Sequence, residues 1–462
     1  VLALTLSEIA AICEGRVVGD GNVCVHGVST DSRAITKGSL FVAIKGERFD
    51  GHDHVASATS GGAAACLLSR VPPGVTAVVV EETIAAFQRM AKAWRDRMRL
   101  SVLALTGSNG KTTVKEMLRA ILVAHHDGRT ESVLTTEGNL NNHLGVPMML
   151  ARLNVQHRHA VFEAGMNHFG EIRLLTHLIS PDVALINNAG PAHLEGVGDL
   201  DGVARAKGEI FEGLAHNGTA VLNADDPYFD YWRGLLRPTQ ALVSFGRNPA
   251  AMIRGEWADV SIGATMRLHH ASGAETLTLP LAGQHNRMNA LAATAGAFAL
   301  GIPVRTAARA LATVTPVQGR QVVHKLPSGA TLIDDTYNAN PASVTAAMDS
   351  LATRAGHRIL VLGQLAELGE QSEAAHREIG QWIGKSAIDS FLATGERMQV
   401  AVETCNAIDR KGQWFANKAQ LIENLRAQLG ATSCVLVKGS RSSAMEEVVH
   451  ALLPHRQTQG GH

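Results

Sequence analysis

Apolar residues recur along the chain in two alternating rhythms: short continuous runs, and segments with apolar positions three and four apart. From Ser101 the rhythm is regular. Runs at 101–105, 132–135, 159–163, 183–187 and 219–222 predict strands. Segments 112–124, 140–152, 170–179 and 201–213 predict helices. Such alternation predicts a mostly parallel sheet with helices on both faces. Upstream, Thr5-x-x-Glu8 has the form of a capping box, and Gly15 stops a short helix carrying Ile9 and Ile12. Strands follow at 23–28, 41–44, 64–68 and 77–80, with a helix at 55–60. Ile84, Phe87, Ala91, Trp94 and Met98 share one helix face, which leads from this first unit into the second. Residues 251–281 turn β-rich, a predicted antiparallel addition, and helices are predicted at 286–300 and 306–313. Around Val314–Gly319 the pattern restarts. A hairpin (322–326 and 331–333) precedes helices at 343–353, 373–384 and 418–428 and strands at 359–362, 390–393 and 434–437, with a last helix from Met445. The chain is therefore expected to be α/β with three domains: a small α/β domain over 1–83, a central parallel-sheet domain over 84–314, and a second α/β sheet domain over 315–462.

Composition narrows this picture little. A length of 462 residues suits about three domains, and 45% hydrophobic with 18% charged residues describes an ordinary soluble globular chain. The 42 basic and 42 acidic side chains cancel, and no Lys/Arg stripe points to nucleic acid. An anionic ligand must then be held by a local site. The apolar start Val1-Leu2-Ala3-Leu4 lacks a basic flank and is not expected to be a signal peptide. No run approaches the roughly 18 apolar residues of a membrane span. Cys13, Cys24, Cys66, Cys405 and Cys434 are scattered and lack metal spacing, so they are expected to be reduced, buried thiols of a cytosolic protein. Gln457–His462 reads as a loose end.

Ligands of open parallel sheets bind beyond the carboxyl ends of the strands. The first such loop is Thr106-Gly107-Ser108-Asn109-Gly110-Lys111-Thr112-Thr113, between a buried run and an amphipathic helix bearing Val114, Met117, Leu118, Ile121 and Leu122. Strand, Gly-rich turn and helix N-terminus together cradle a polyphosphate: backbone N–H groups close on its oxygens and the helix dipole favours its charge. Lys111 would reach the terminal phosphates and the Thr112 hydroxyl would ligate Mg²⁺. The usual pattern has a further glycine where this chain carries Leu105. A Gly-rich turn before an ordinary helix is the alternative reading.

Other strand ends carry weaker candidates. Glu163 could meet a metal held by Thr112, or be a solvated strand-end carboxylate. His193 could ligate a metal or orient a phosphate, or simply pack. Lys207 reads by default as a surface lysine on a helix. Thr135, Thr136, Asn139 and Asn142 form a polar loop that capping explains only in part. The stretch Asp334-Asp335-Thr336-Tyr337-Asn338-Ala339-Asn340-Pro341 could hold a ribose or an adenine edge, or be an elaborate turn. Lys438-Gly439-Ser440-Arg441 suits a carboxylate or phosphate.

Taken with Ser29-Thr30-Asp31-Ser32-Arg33, the 41–52 stretch, Gly138-Asn139-Leu140-Asn141-Asn142, Ala192-His193-Leu194-Glu195, Lys207-Gly208-Glu209, His285-Asn286-x-x-Asn289, Gly319-Arg320 and Ala366-Glu367-Leu368-Gly369, these motifs have a specific order and spacing. In that order the chain resembles the Mur ligase family, the ATP-dependent amino-acid and peptide ligases of peptidoglycan synthesis. The motifs are most similar to those of members that join D-alanyl-D-alanine to UDP-N-acetylmuramoyl-tripeptide.

The resemblance implies a cytoplasmic, monomeric enzyme whose first domain holds the UDP-sugar-peptide, whose P-loop ATPase domain holds ATP, and whose Rossmann-like C-terminal domain closes with the dipeptide. It implies an acyl phosphate, formed when the substrate carboxylate attacks the γ-phosphate and then taken by the dipeptide amine. By resemblance Thr112, Glu163, His193 and Lys207 serve two Mg²⁺ ions, Lys207 matching the family lysine that becomes carbamylated. Asn286, Arg320, Asp335 and Tyr337 match positions near the nucleotide, with Arg320 placed to neutralise the γ-phosphate. Ser29–Arg33, Lys45, Arg48, Asp50 and His52 match the uridine and peptide side, and Lys438, Ser440 and Arg441 match substrate-carboxylate positions. Gln364 and Phe169 depart from residues usual in relatives. The Asp-Asn-Pro-Arg run of the diamino-acid-adding members is absent, as is the Asn-Lys-x-Asp guanine reader of a GTPase switch.

Overall fold

The protein is described by a computed structural model over residues 1–46, 49–258, 265–281 and 283–454. Arg48 and Gln457–His462, both singled out above, lie outside the described residues. A nine-stranded sheet dominates the centre. Ser101–Thr106 lies inside it, flanked by His159–Glu163 and Val183–Ile186, both parallel to it. The parallel run continues through Thr219–Asn223, Ala241–Gly246 and Ile253–Glu256 on one side and Val133–Thr135 on the other. The expected antiparallel addition is Thr265–His270 and Gly273–Thr278 at one edge.

Alternate residues of the Ser101–Thr106 strand go to opposite faces. Val102 and Ala104 join a core with Phe87, Met90 and Trp94 of helix Thr83–Asp96 and Leu175 and Ile179 of helix Glu171–Ile179. Leu103 and Leu105 join the opposite core, with Val114 and Leu118 of helix Lys111–His125 and Leu291 and Ala295 of helix Gln284–Ala299. Burial on both faces explains why this strand reads as a continuous apolar run.

The C-terminal part has a six-stranded sheet in the order Val322–Lys325, Thr331–Asp335, Ser433–Lys438, His357–Gly363, Ser390–Thr394, Gly412–Phe415. Only the expected hairpin, Val322–Lys325 with Thr331–Asp335, is antiparallel. The N-terminal part has a five-stranded sheet and a two-stranded ribbon. Its first helix, Leu6–Cys13, starts on the predicted capping box: the Thr5 hydroxyl accepts from Glu8 N–H, and Glu8 Oε2 from Thr5 N–H at 2.8 Å.

Several elements differ from expectation. The predicted strand 23–28 breaks at Gly27, at φ +81°, into Cys24–His26 and Val28–Ser29, which serve different sheets. The helix expected over 140–152 shrinks to Gly145–Leu150, because the Asn142 carboxamide caps the turn before it through Leu144 and Gly145 N–H. The helix expected to reach 213 ends at Gly208 and tightens into a 3₁₀ turn, Glu209–Phe211. Strands Arg16–Val18, Ala241–Gly246 and Gly412–Phe415 and helices Phe229–Gly234 and Met398–Asn406 were not anticipated. The cysteines are free; four are buried as expected, but Cys24 is exposed, on a strand of the outer ribbon. Among the described residues no helix is long and apolar enough to cross a membrane.

Candidate active site

The turn after Ser101–Thr106 is held by a lattice of asparagines. Asn109 N–H donates to Asn188 Oδ1 at 2.9 Å, and Asn187 Nδ2 donates to Asn109 O at 2.9 Å and to Asn289 Oδ1 at 3.0 Å. The Ser108 hydroxyl donates to Gly190 O at 2.8 Å. Gly110 caps the helix at φ +81°, and a Cβ there would stand 2.3 Å from Asn289 Oδ1. Only glycine satisfies both conditions. Lys111 folds back, its Nζ donating to Gly107 O at 2.6 Å.

Charged groups gather beside this turn. Glu163 is 1% exposed; its Oε2 accepts from the Thr112 hydroxyl at 3.3 Å, and its Oε1 has no hydrogen-bond partner. Lys115 Nζ lies 3.6 Å from that oxygen. Of the two readings of Glu163, that of a solvated strand-end carboxylate therefore fails. So does that of a surface Lys207, which is 1% exposed and makes no hydrogen bond or ion pair among the described residues. Burial, and then the neighbouring Lys111 charge, hold the Lys207 ammonium well below its ordinary pKa. Lys111 is also lowered by burial, opposed by Glu163 and Glu367 and reinforced by Arg320.

The C-terminal part reaches into the same place. Arg320 Nη2 donates to Thr112 Oγ1 at 3.0 Å while its guanidinium lies 4.2 Å from the Tyr337 ring centre. Asn340 Nδ2 donates to Asn109 Oδ1 at 2.8 Å. His193 Nδ1 lies 2.8 Å from Glu367 Oε2, and both residues have left-handed backbones, at φ +57° and +62°. That His193 contact holds the Glu367 carboxyl below its usual range. Asp335 accepts from Lys438 Nζ at 2.8 Å in a buried pair, and the same Nζ donates to Asn338 O at 2.9 Å. Ser440 Oγ donates to Gln364 O at 2.7 Å, and Arg441 pairs with Glu446 at 2.8 Å. Asn286 is buried at the start of its helix.

The candidates between Ser29 and His52 form a separate group, with no hydrogen bond or ion pair to the 107–113 turn among the described residues. Asp31 and Arg33 make a two-point pair at 2.9 and 2.8 Å, which holds the Asp31 carboxyl down to about 2. Ser29 Oγ donates to Asp31 O at 3.0 Å, and Thr30 Oγ1 lies 3.8 Å from Met148 Sδ. Ser32 is half-buried, and the backbone of Lys45 forms an isolated antiparallel β-bridge with that of Asp50. His52 uses both ring nitrogens internally: Ser69 N–H donates to Nε2 at 2.9 Å, so Nδ1 carries the proton toward Asp50 Oδ1 at 2.6 Å. Thr135 and Thr136 are buried, and Thr136 Oγ1 accepts from Glu163 N–H at 2.9 Å. Asn139 lies in the loop that follows Val133–Thr135, three residues before Asn142.

Sequence reasoning missed Lys115 and the pairing of Glu367 with His193. The available signal for Lys115 was a lysine one turn after Lys111, between the apolar Val114 and Met117. Among the described residues no three His, Cys, Asp or Glu side chains converge as a metal cage. The orphaned Glu163 oxygen and the Thr112 hydroxyl suit Mg²⁺ shared with phosphate, since that ion keeps few protein ligands.

Three family profiles match in chain order: "Mur ligase family, catalytic domain" over residues 24–96, "Mur ligase middle domain" over 105–297 and "Mur ligase, glutamate ligase domain" over 319–441. A UDP-N-acetylmuramoyl-tripeptide–D-alanyl-D-alanine ligase of Escherichia coli is 41% identical over 459 residues, 98% of each chain. The chain belongs to the Mur ligase family. A ligase of the same name from Bacillus subtilis is 34% identical, over 97% of this chain and 98% of its own. Among solved Mur ligases, MurF from Acinetobacter baumannii superposes with a TM-score of 0.89 at 33% identity, covering 98% of this chain and 99% of that one. MurF from Thermotoga maritima, solved in complex with ADP, gives 0.81 at 27% identity, covering 93% and 97%.

Proposed function

We propose that this Mur ligase joins D-alanyl-D-alanine to UDP-N-acetylmuramoyl-tripeptide at the expense of ATP, releasing ADP and phosphate and giving the pentapeptide precursor of peptidoglycan. The observation that carries the reading is the meeting of two domains on one phosphate turn: Arg320 on Thr112 and Asn340 on Asn109. The substrates follow the relatives' names. We assign the domains as 1–83 for the UDP-sugar-peptide, 84–314 for ATP and 315–462 for closure with the dipeptide, in a cytoplasmic monomer.

The Gly107–Thr113 turn binds the phosphates through its N–H groups, and Lys111 swings from Gly107 O to the terminal phosphate. Arg320 neutralises the γ-phosphate as the substrate carboxylate attacks it, a step that needs alignment and charge more than covalent help. Thr112, Glu163, His193 and Lys207 would hold Mg²⁺, two ions if Lys207 is carbamylated; the metal supplies charge neutralisation for the transferring phosphate. Burial favours the uncharged Lys207 amine that carbamylation requires. Asn286, Asp335 and Tyr337 flank the nucleotide, and Lys438, Ser440 and Arg441 bear on substrate carboxylates. Ser29–Arg33, Lys45, Arg48, Asp50 and His52 belong to the uridine side, and Thr135, Thr136, Asn139 and Asn142 to the muramoyl-peptide side. Phosphate release measured across acceptors tests the reading. It should require D-alanyl-D-alanine, and equal release with free diaminopimelate and the dipeptide precursor would refute the substrate assignment.

A further inference from the structure

We propose that Lys115 is a positioning residue that couples the nucleotide-side carboxylate to the loop at 135–142. Lys115 is 2% exposed and sits where three elements meet. Its Nζ donates to Thr136 O at 2.6 Å and lies 2.8 Å from Glu116 Oε1 and 3.6 Å from Glu163 Oε1. Thr136 is tied to Glu163 a second time, since its hydroxyl accepts the Glu163 N–H at 2.9 Å. The other Glu163 oxygen takes the Thr112 hydroxyl. One cation therefore closes a path from the phosphate turn, through Glu163, to the loop. A cleft of about 380 Å³ opens beside that loop, lined by Lys115, Glu116, Arg119, Thr135, Thr136 and Glu137.

Burying an ammonium is unfavourable unless it is paired and hydrogen-bonded. Packing alone would be served as well by Met or Leu at this position. Glu163 Oε1 has no hydrogen-bond donor, so the carboxylate's orientation is set by the Lys115 charge on one oxygen and Thr112 on the other. A ligand that draws the loop moves Thr136 O, and with it the cation that holds Glu163. Binding on the loop side and on the phosphate side are then linked, and linkage is reciprocal.

The inference rests on the function proposed above, so its test has arms that separate the two. On the full chain, ADP affinity is measured alone and with saturating UDP-N-acetylmuramoyl-tripeptide, together with kcat and both KM values. The wild type should bind ADP about five-fold or more tighter when the tripeptide is present. Lys115→Met should leave ADP affinity alone within about three-fold, abolish the enhancement and lower kcat at least about ten-fold; Lys115→Arg should restore part of the coupling. In the ligand-free protein, Lys115→Met should speed amide exchange at Glu163 and through 136–142 relative to the rest of the central sheet. Coupling that survives Lys115→Met, unchanged exchange, or a wild type that turns over without coupling would each overturn the inference. So would a parallel fall of both affinities, kcat and melting temperature in the Met and Arg variants alike, the mark of a merely structural lysine. A wild type that does not turn over with these substrates refutes the functional reading instead, and the exchange arm still decides the role of Lys115.

Discussion

Gly110→Ala is the sharpest perturbation of the phosphate turn. Gly110 stands at φ +81°, where a side chain costs about 1–2 kcal/mol. The new methyl would lie 2.3 Å from Asn289 Oδ1 and 2.7 Å from Asn187 Nδ2, so these two must part. Their 3.0 Å hydrogen bond is lost, and Asn187 loosens its 2.9 Å hold on Asn109 O. Buried polar groups left unpaired cost about 1–3 kcal/mol. The sum is about 2–5 kcal/mol in the central sheet, which for a unit of this size lowers the melting temperature by about 4–10 °C. The displaced turn should also weaken ADP binding at least about ten-fold, about 1.4 kcal/mol. Thermal unfolding and ADP titration read both effects. Melting within 2 °C of wild type (about 1 kcal/mol) together with undiminished ADP affinity would refute the reasoning.

Three further outcomes are expected. Lys207→Ala should nearly abolish turnover and recover partly with short carboxylic acids if its carbamate supplies a carboxylate; absence of rescue in an otherwise folded variant counts against that role. Arg320→Ala, which removes the contact with Thr112 and the stacking on Tyr337, should lower kcat more than it raises KM for ATP; a pure KM effect would place Arg320 in ground-state binding. Burial, with His126 and His125 nearby, holds His159 down to about 4 from 6.5. The unfolded chain thus takes up a proton below pH 6.5 that the folded one refuses, so stability is full above 6.5 and falls as pH drops toward 4, by about 3 kcal/mol. Denaturant melts of His159→Gln should show a flatter acid limb, and curves parallel to wild type would contradict this.

The central sheet was legible because its strands are buried on both faces and read as unbroken apolar runs, as in Ser101–Thr106. Edge elements were less so. Ala241–Gly246 is partly exposed and interrupted by Ser244, and Met398–Asn406 is a short helix whose Val400 falls outside the buried face of Met398, Ala401, Val402 and Cys405. The 140–152 segment was over-read because its apolar spacing competes with Asn142, whose side chain takes the backbone N–H groups that a longer helix would use. At the site, Lys111, Thr112 and Glu163 sit at strand ends where topology predicts ligands. The partners of Lys115 and the His193–Glu367 contact were not legible because each depends on segments far apart in sequence meeting in the fold. Burial of Lys207 was likewise a tertiary fact: a short polar helix gives no hint that its lysine is sealed beside Lys111.

The most direct test of the account is phosphate release from ATP by the purified full chain with each substrate omitted in turn. Release is predicted to need both UDP-N-acetylmuramoyl-tripeptide and D-alanyl-D-alanine and to vanish in Lys111→Ala. Undiminished release without the dipeptide, or from Lys111→Ala, would contradict it.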